Sequence, residues 1–83
     1  MYRLEISHVA HRQIVDLPPR TAPRINEAIA GLANEPRPVG AKKLIGIDGC
    51  RIRIGDYRIL YVVNDVSRLI TVYRVKHRRE AYR

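Results

Sequence analysis

The stretch RIRIGDYRILYVV, Arg51 to Val63, decides the fold. Side chains of successive strand residues point to opposite faces. Ile52 and Ile54 therefore share one face, and Arg51 and Arg53 share the other. Gly55-Asp56 suits the centre of a tight hairpin turn, because glycine takes positive φ without a steric penalty. Tyr57 to Val63 then reads as the return strand, opened by Arg58. The segment is a β-hairpin with one apolar face and one face carrying fixed positive charge, and the apolar face needs a cover.

That cover lies upstream. YRLEIS alternates roughly apolar and polar from Tyr2 to Ile6, a first strand with Leu4 and Ile6 on one side. Ser7 is placed to cap a helix by accepting a backbone N–H bond, and Ala10, Ile14 and Leu17 follow at helical spacing. Pro18 and Pro19 lack backbone donors and stop that helix. A second helix starts near Thr21 to Pro23. Its Ile25, Ala28, Ile29, Leu32 and Ala33 form a stripe at i, i+3, i+4, i+7 and i+8. The two helices make a hairpin with one apolar face, suited to a sheet.

Downstream, NEPRPVGAKK (Asn34 to Lys43) reads as an ordered loop. Three strand runs follow: Lys43 to Ile54 with a break at Asp48-Gly49, Tyr57 to Val63, and Leu69 to Lys76, the last two joined by a turn over Asn64 to Ser67. The expected architecture is α+β over a single domain, residues 1–83: an N-terminal strand, a helical hairpin and an antiparallel sheet, in the order β-α-α-β-β-β. In LITVYRVKHR, Arg74, Lys76 and Arg78 share one parity. An antiparallel sheet can leave one face in water, and here that face is rich in guanidinium groups.

The charge supports a polyanion partner. The chain has 16 Lys plus Arg against 8 Asp plus Glu, a formal net charge of +8. Residues 1–41 hold five basic and four acidic side chains, a net of +1; residues 42–83 hold eleven and four, the other +7. An excess confined to the sheet half makes a basic surface, and such a field attracts nucleic acid or an acidic protein. Solvated surface charge is the plainer alternative. Like charges directly across strands repel, however, so Arg51, Arg53, Arg58 and Arg78 together cost stability unless an anion joins them. Asp48, Asp56 and Asp65 fall in turns and are explained by turn chemistry.

Other chemistries find little support. The single cysteine, Cys50, has no internal partner, which fits a reducing cytoplasm. The N-terminus has neither a signal peptide's apolar core nor a membrane-length run. His8, His11 and His77 with Cys50 lack the spacing of a structural zinc site. Ser7 and Ser67 have no evident triad partners, and no glycine-rich phosphate loop precedes a helix. No metal, cofactor or membrane partner is expected.

AKKLIGIDGCRIRIGDYRILYVVND followed by ITVYRVKHRREAYR resembles the RelE branch of the RelE/ParE toxins of bacterial type II toxin-antitoxin systems. The likeness covers nearly the whole chain and is most specific in RIRIGDYRILY and VKHRREAYR. It implies a helical hairpin packed on an antiparallel sheet. It also implies a metal-independent endoribonuclease that enters the A site of the 70S ribosome and cuts the bound mRNA. A cognate, RelB-like antitoxin is implied as partner in a hetero-oligomer. Carried over by motif, the catalytic positions are Arg51, Arg53, Arg58, Arg78 and Tyr82. The type member has lysines where Arg51 and Arg53 stand, and arginine, always protonated, serves poorly as a general base.

Metal-independent RNA cleavage uses the substrate's own 2'-OH on the adjacent phosphate, which DNA lacks. Clustered guanidiniums stabilise the added charge. For proton transfer His77 and Lys76 are the candidates, although His77 has the opposite parity to Arg78 and faces the helices on this reading. Lys43 is a further alternative. Lys42, Lys43, Arg74 and Arg79 are expected to contact mRNA or ribosomal RNA. The rival reading within the same superfamily is a ParE-like inhibitor of DNA gyrase that cuts no RNA. A third is a basic adaptor that binds nucleic acid without chemistry.

Overall fold

The computed structural model describes residues 1–46 and 49–79. The elements are β1 (Arg3–Ile6), α1 (His8–Val15), α2 (Ala22–Leu32), β2 (Lys42–Lys43), β3 (Cys50–Ile54), β4 (Tyr57–Asn64) and β5 (Leu69–His77). One five-stranded sheet has the order β1-β5-β4-β3-β2. The α+β class and the helical hairpin agree with the sequence reading, while two details differ. β1 runs parallel to β5, with Leu4 beside Ile70 and Ile6 beside Val72, so the sheet is mixed. The run read from Lys43 to Ile54 divides into β2, which ends at Lys43, and β3, which begins at Cys50.

Local chemistry sets the helix ends. The Ser7 hydroxyl accepts the Ala10 N–H at 3.1 Å and donates to the Tyr73 carbonyl at 3.2 Å, so the cap of α1 also ties it to β5. α1 ends at Val15 ahead of the two prolines, and α2 has proline in its first turn, where a missing N–H costs nothing. Gly55 sits at φ +59° in the β3–β4 turn, the conformation expected from the sequence. The Asn64 side chain accepts the N–H groups of Val66 and Ser67 and so shapes the β4–β5 turn.

The helices cover one face of the sheet. Ala10 and Ile14 from α1 and Ile25, Ile29 and Leu32 from α2 bury against Ile52, Ile59, Tyr61, Ile70, Val72 and Val75. Each fully buried aliphatic side chain contributes roughly 1.5–3 kcal/mol relative to leaving it in water. Ile70 and Val72 have even parity whereas Val75 has odd parity, yet all three face the helices. The reason is a bulge: Leu60 pairs with Arg74 and Tyr61 with Val72, leaving Tyr73 as an extra residue on β5. Beyond Val72, β1 has given way to α1, and the Gln13 side chain accepts the Val75 N–H at 2.7 Å in place of a strand.

Two polar anchors hold the 34–41 loop. Tyr61 is fully buried, and its hydroxyl donates to the Pro36 carbonyl at 2.8 Å. Burial pushes this phenol up to about 12, so the hydroxyl keeps its proton and remains a donor. At the surface, Asp65 accepts from both terminal nitrogens of Arg37, at 3.3 and 2.9 Å, and from the Tyr2 hydroxyl at 2.6 Å. The Arg68 guanidinium lies 5.7 Å from the Tyr2 ring centre. The bonds from Arg37 and then Tyr2 hold the Asp65 carboxyl below its ordinary range.

Tyr61→Phe should lose about 1 kcal/mol of unfolding free energy, read from the denaturant midpoint, because the Pro36 carbonyl is left without its donor. Asp65→Asn should lower the melting temperature slightly at pH 7. A depressed folded-state pKa stabilises above the unfolded value and is lost as pH falls through the folded one, so the gap from wild type should close below about pH 4.

Candidate functional site

Strand register places the cations on the uncovered face. Arg53 stands opposite Arg58, and Arg58 opposite Lys76, giving one row across β3, β4 and β5. A second row runs from Lys42 to Arg51, Leu60 and Arg74 across β2 to β5. Directly opposed side chains on an antiparallel pair have Cβ atoms about 5 Å apart. Arg53 with Arg58, Arg58 with Lys76, and Lys42 with Arg51 are like charges at that spacing, a layout that favours an anion beside them.

At the end of the first row, Arg53, Gly55, Asp56, Tyr57, Arg58 and Arg78 line a hollow of about 230 Å³. Gly55 and Asp56 bring the β3–β4 turn into its lining. Arg78 follows β5 and is held there because its backbone N–H donates to the Asp56 carbonyl at 2.6 Å. The turn and the end of β5 are thereby joined. Arg53 and Arg78 are exposed, and Arg58 is partly buried. Among the described residues neither Arg53 nor Arg78 forms an ion pair.

The structure thus brings Arg53, Arg58 and Arg78 to one hollow, with Lys76 next to Arg58 on the same face. Arg51 lies one row away, beside Lys42. Arg74 is exposed in that second row. Lys43 pairs with Cys50, whose other neighbour is the buried Tyr61, so Lys43 has the opposite parity and lines a separate pocket with Arg37. His77 also lies on the helix side: it pairs with Tyr57, meets it edge to face at 5.0 Å, and lines a pocket with Gln13, Asp16 and Leu17. The His77 Nδ1 atom accepts the Arg79 N–H at 3.1 Å, so this ring positions the segment after β5. Tyr82 and Glu80, like Asp48, lie outside the described residues.

Gly55, Asp56 and Tyr57 also line the hollow, and the sequence reading assigns none of them to the site. Asp56 was accounted for as a turn former, yet it lines the arginine hollow and its carbonyl anchors Arg78. The signal was its place between Arg53 and Arg58 in RIGDYR. No group of three or more His, Cys, Asp or Glu among the described residues is arranged to hold a metal ion, and no helix among them is long and apolar enough to cross a membrane.

Comparison with known proteins places this arrangement in a family. The family model described as the ParE toxin of type II toxin-antitoxin system, parDE, matches residues 4–82. Toxin RelG of Mycobacterium tuberculosis is 34% identical over 86 residues, covering 99% of this chain and 97% of that protein. The putative toxin RelE1 of Methanocaldococcus jannaschii is 33% identical, with 99% and 96% covered. The crystal structure of the toxin-antitoxin complex RelBE2 from Mycobacterium tuberculosis contains a chain that superposes with a TM-score of 0.82 at 30% identity, covering 93% of this chain and 98% of that one. The chain belongs to the RelE/ParE family and is a toxin of the type II toxin-antitoxin class.

Because Arg53 is exposed and faces another arginine, Arg53→Ala should leave unfolding free energy within about 0.5 kcal/mol of wild type or raise it. Chemical denaturation in low-salt buffer reads this directly.

Proposed function

We propose that this toxin is a metal-independent endoribonuclease that acts on mRNA in the ribosomal A site and so halts translation. The observation that carries the reading is the convergence of Arg53, Arg58 and Arg78 on one open hollow of about 230 Å³. The RelE names of its relatives support it as well. RNA phosphate is the anion that fits the rows, since forked guanidinium donors match phosphate oxygens.

In the proposed reaction the substrate 2'-oxygen attacks the adjacent phosphorus, and the bond from phosphorus to the 5'-oxygen breaks. The products are a 2',3'-cyclic phosphate and a 5'-hydroxyl. Arg53, Arg58 and Arg78 hold the non-bridging oxygens and bind more strongly as negative charge builds. Arg51 extends this grip along β3. Of the two proton-transfer candidates, Lys76 shares the face of Arg58 and is assigned as donor to the departing 5'-oxygen. His77 is assigned a positioning role through Arg79. The 2'-proton passes to solvent or to a ribosomal group. Tyr82 is proposed to stack on a base beside the scissile bond. Lys42, Arg74 and Arg79 are proposed to grip RNA flanking the cut, with Lys43 reaching ribosomal RNA from the opposite side of the edge. A RelB-like antitoxin is the proposed partner that restrains the toxin in the cytoplasm.

A second reading has its own support, because the family model that matches is that of the ParE toxin. On that reading the basic face meets DNA gyrase and cuts nothing.

Purified protein added to translating ribosomes should give message cuts in codon register, mapped by primer extension. Arg58→Ala and Arg78→Ala should each lower the cutting rate about a hundredfold or more, and Lys76→Met should lower it while leaving RNA binding in place. Intact message together with inhibited supercoiling by gyrase would select the second reading.

A further inference from the structure

Helix α2 sends an arginine to the β3–β4 turn. A Cβ built on Gly55 would lie 3.5 Å from Nη1 of Arg24, 3.8 Å from Nη2 and 4.0 Å from Cζ, and beyond its chain neighbours these are the heavy atoms nearest to it. Both terminal nitrogens are closer than the central carbon, so the guanidinium turns its donor edge toward Gly55. Gly55 holds φ +59°, a conformation that favours glycine. The space a side chain would fill at this position is therefore open, and the donors of Arg24 face into it.

This notch adjoins the arginine hollow, because Gly55 lines that hollow together with Arg53, Arg58 and Arg78. Arg24 is exposed and forms no ion pair among the described residues. Glu27, three positions along the helix and a neighbour on its surface, does not pair with it. A fork of donors is thus left uncommitted beside a site where the lining offers one carboxylate, that of Asp56, against three arginines.

We propose that Arg24 and the open space over Gly55 form a second phosphate seat, which holds the phosphate next to the scissile one in a single-stranded RNA. RNA carries a phosphate at every nucleotide, so a backbone seated in the hollow takes its next charge past one rim. At the Gly55 rim no side chain blocks the way, and a forked donor that matches phosphate oxygens stands beside it. Arg53, Arg58 and Lys76 belong to the uncovered face of the sheet, whereas Arg24 comes from the helix layer. The RNA therefore bends over the turn instead of running only along the sheet. An extended acidic peptide fits this path less well, because its successive side chains point in opposite directions. The inference rests on the nuclease reading for its occupant. It adds to that reading a residue that grips the substrate away from the reacting atoms.

The test uses the full chain and 2'-O-methyl RNA probes, which lack the attacking hydroxyl and stay intact. One is a diuridylate with a single phosphate, which occupies the hollow alone. The other is an oligouridylate of about eight nucleotides, long enough to reach both seats. Arg24→Gln keeps the side-chain stem and should retain the wild-type melting temperature. It should weaken the longer probe about threefold or more in low-salt buffer, leave the diuridylate far less affected, and shrink the slope of log affinity against log salt by about 0.7, the share of one phosphate contact. Arg24→Lys should restore most of the affinity and the slope. Gly55→Asn, a substitution that tolerates positive φ, fills the notch and should also weaken the longer probe. The proposal is overturned if Arg24→Gln binds the longer probe with wild-type affinity and slope, if it weakens both probes equally, or if Arg24→Lys restores nothing. It is also overturned if the wild type binds the longer probe no better than the diuridylate, or if hexaglutamate binds as tightly as the longer probe and loses as much in Arg24→Gln. Message cutting on ribosomes is read separately. Binding as described without cutting fails the nuclease reading and keeps the seat, while cutting with binding indifferent to Arg24 fails the seat alone.

Discussion

Packing of both helices onto one face of the sheet governs the rest of this molecule. A chain of 83 residues has apolar side chains enough for a single core. Ile25, Ile29 and Leu32 of α2 meet Ile52 and Ile59 there, and Tyr61 and Val72 fill its centre. Once that face is committed, strand alternation sends Arg51, Arg53, Arg58, Arg74 and Lys76 to the other. The cationic face is thus the reverse side of the core, and its spacing is inherited from the strand ladder. Removing the charge need not disturb the fold, whereas disturbing the fold must scatter the charge.

The bulge at Tyr73 reconciles two requirements on β5. Its first half must present Ile70 and Val72 to the helices beside β1, and its second half must present Val75 there while turning Arg74 and Lys76 outward. No unbroken strand does both, because the side-chain period is two. One extra residue resets the alternation. β1 does not reach this second half, and the Gln13 side chain accepts the Val75 N–H where a strand would have stood.

Much of this was legible in the sequence because it is local. The RIRIGDYRILYVV hairpin, the Ser7 cap, the helix-breaking prolines and the α2 stripe each depend on residues within a few positions of one another. The grouping of Arg53 and Arg58 followed from parity across a two-residue turn. Long-range choices were not legible. β1 is only four residues long, and nothing within it states that its partner is β5 or that the pairing is parallel. Lys42 and Lys43 are neighbours in sequence yet take opposite sides of the sheet edge, a distinction fixed by register alone. Asp56 looked like turn chemistry because a turn explains it fully. Only the tertiary bond from Arg78 shows that the turn also builds the hollow.

The charge of Arg51 and Arg53 along β3 is of a kind that bears on how the molecule meets its surroundings. A guanidinium stays protonated at any acidity a cell tolerates, so the uncovered face cannot be switched off by a proton. What remains as a control is ionic strength: counterions crowding the two rows weaken their pull over a distance of about 8–10 Å under physiological conditions. A cell that concentrates or dilutes its salts would therefore retune this surface, and one that merely acidifies would leave its arginines as they are.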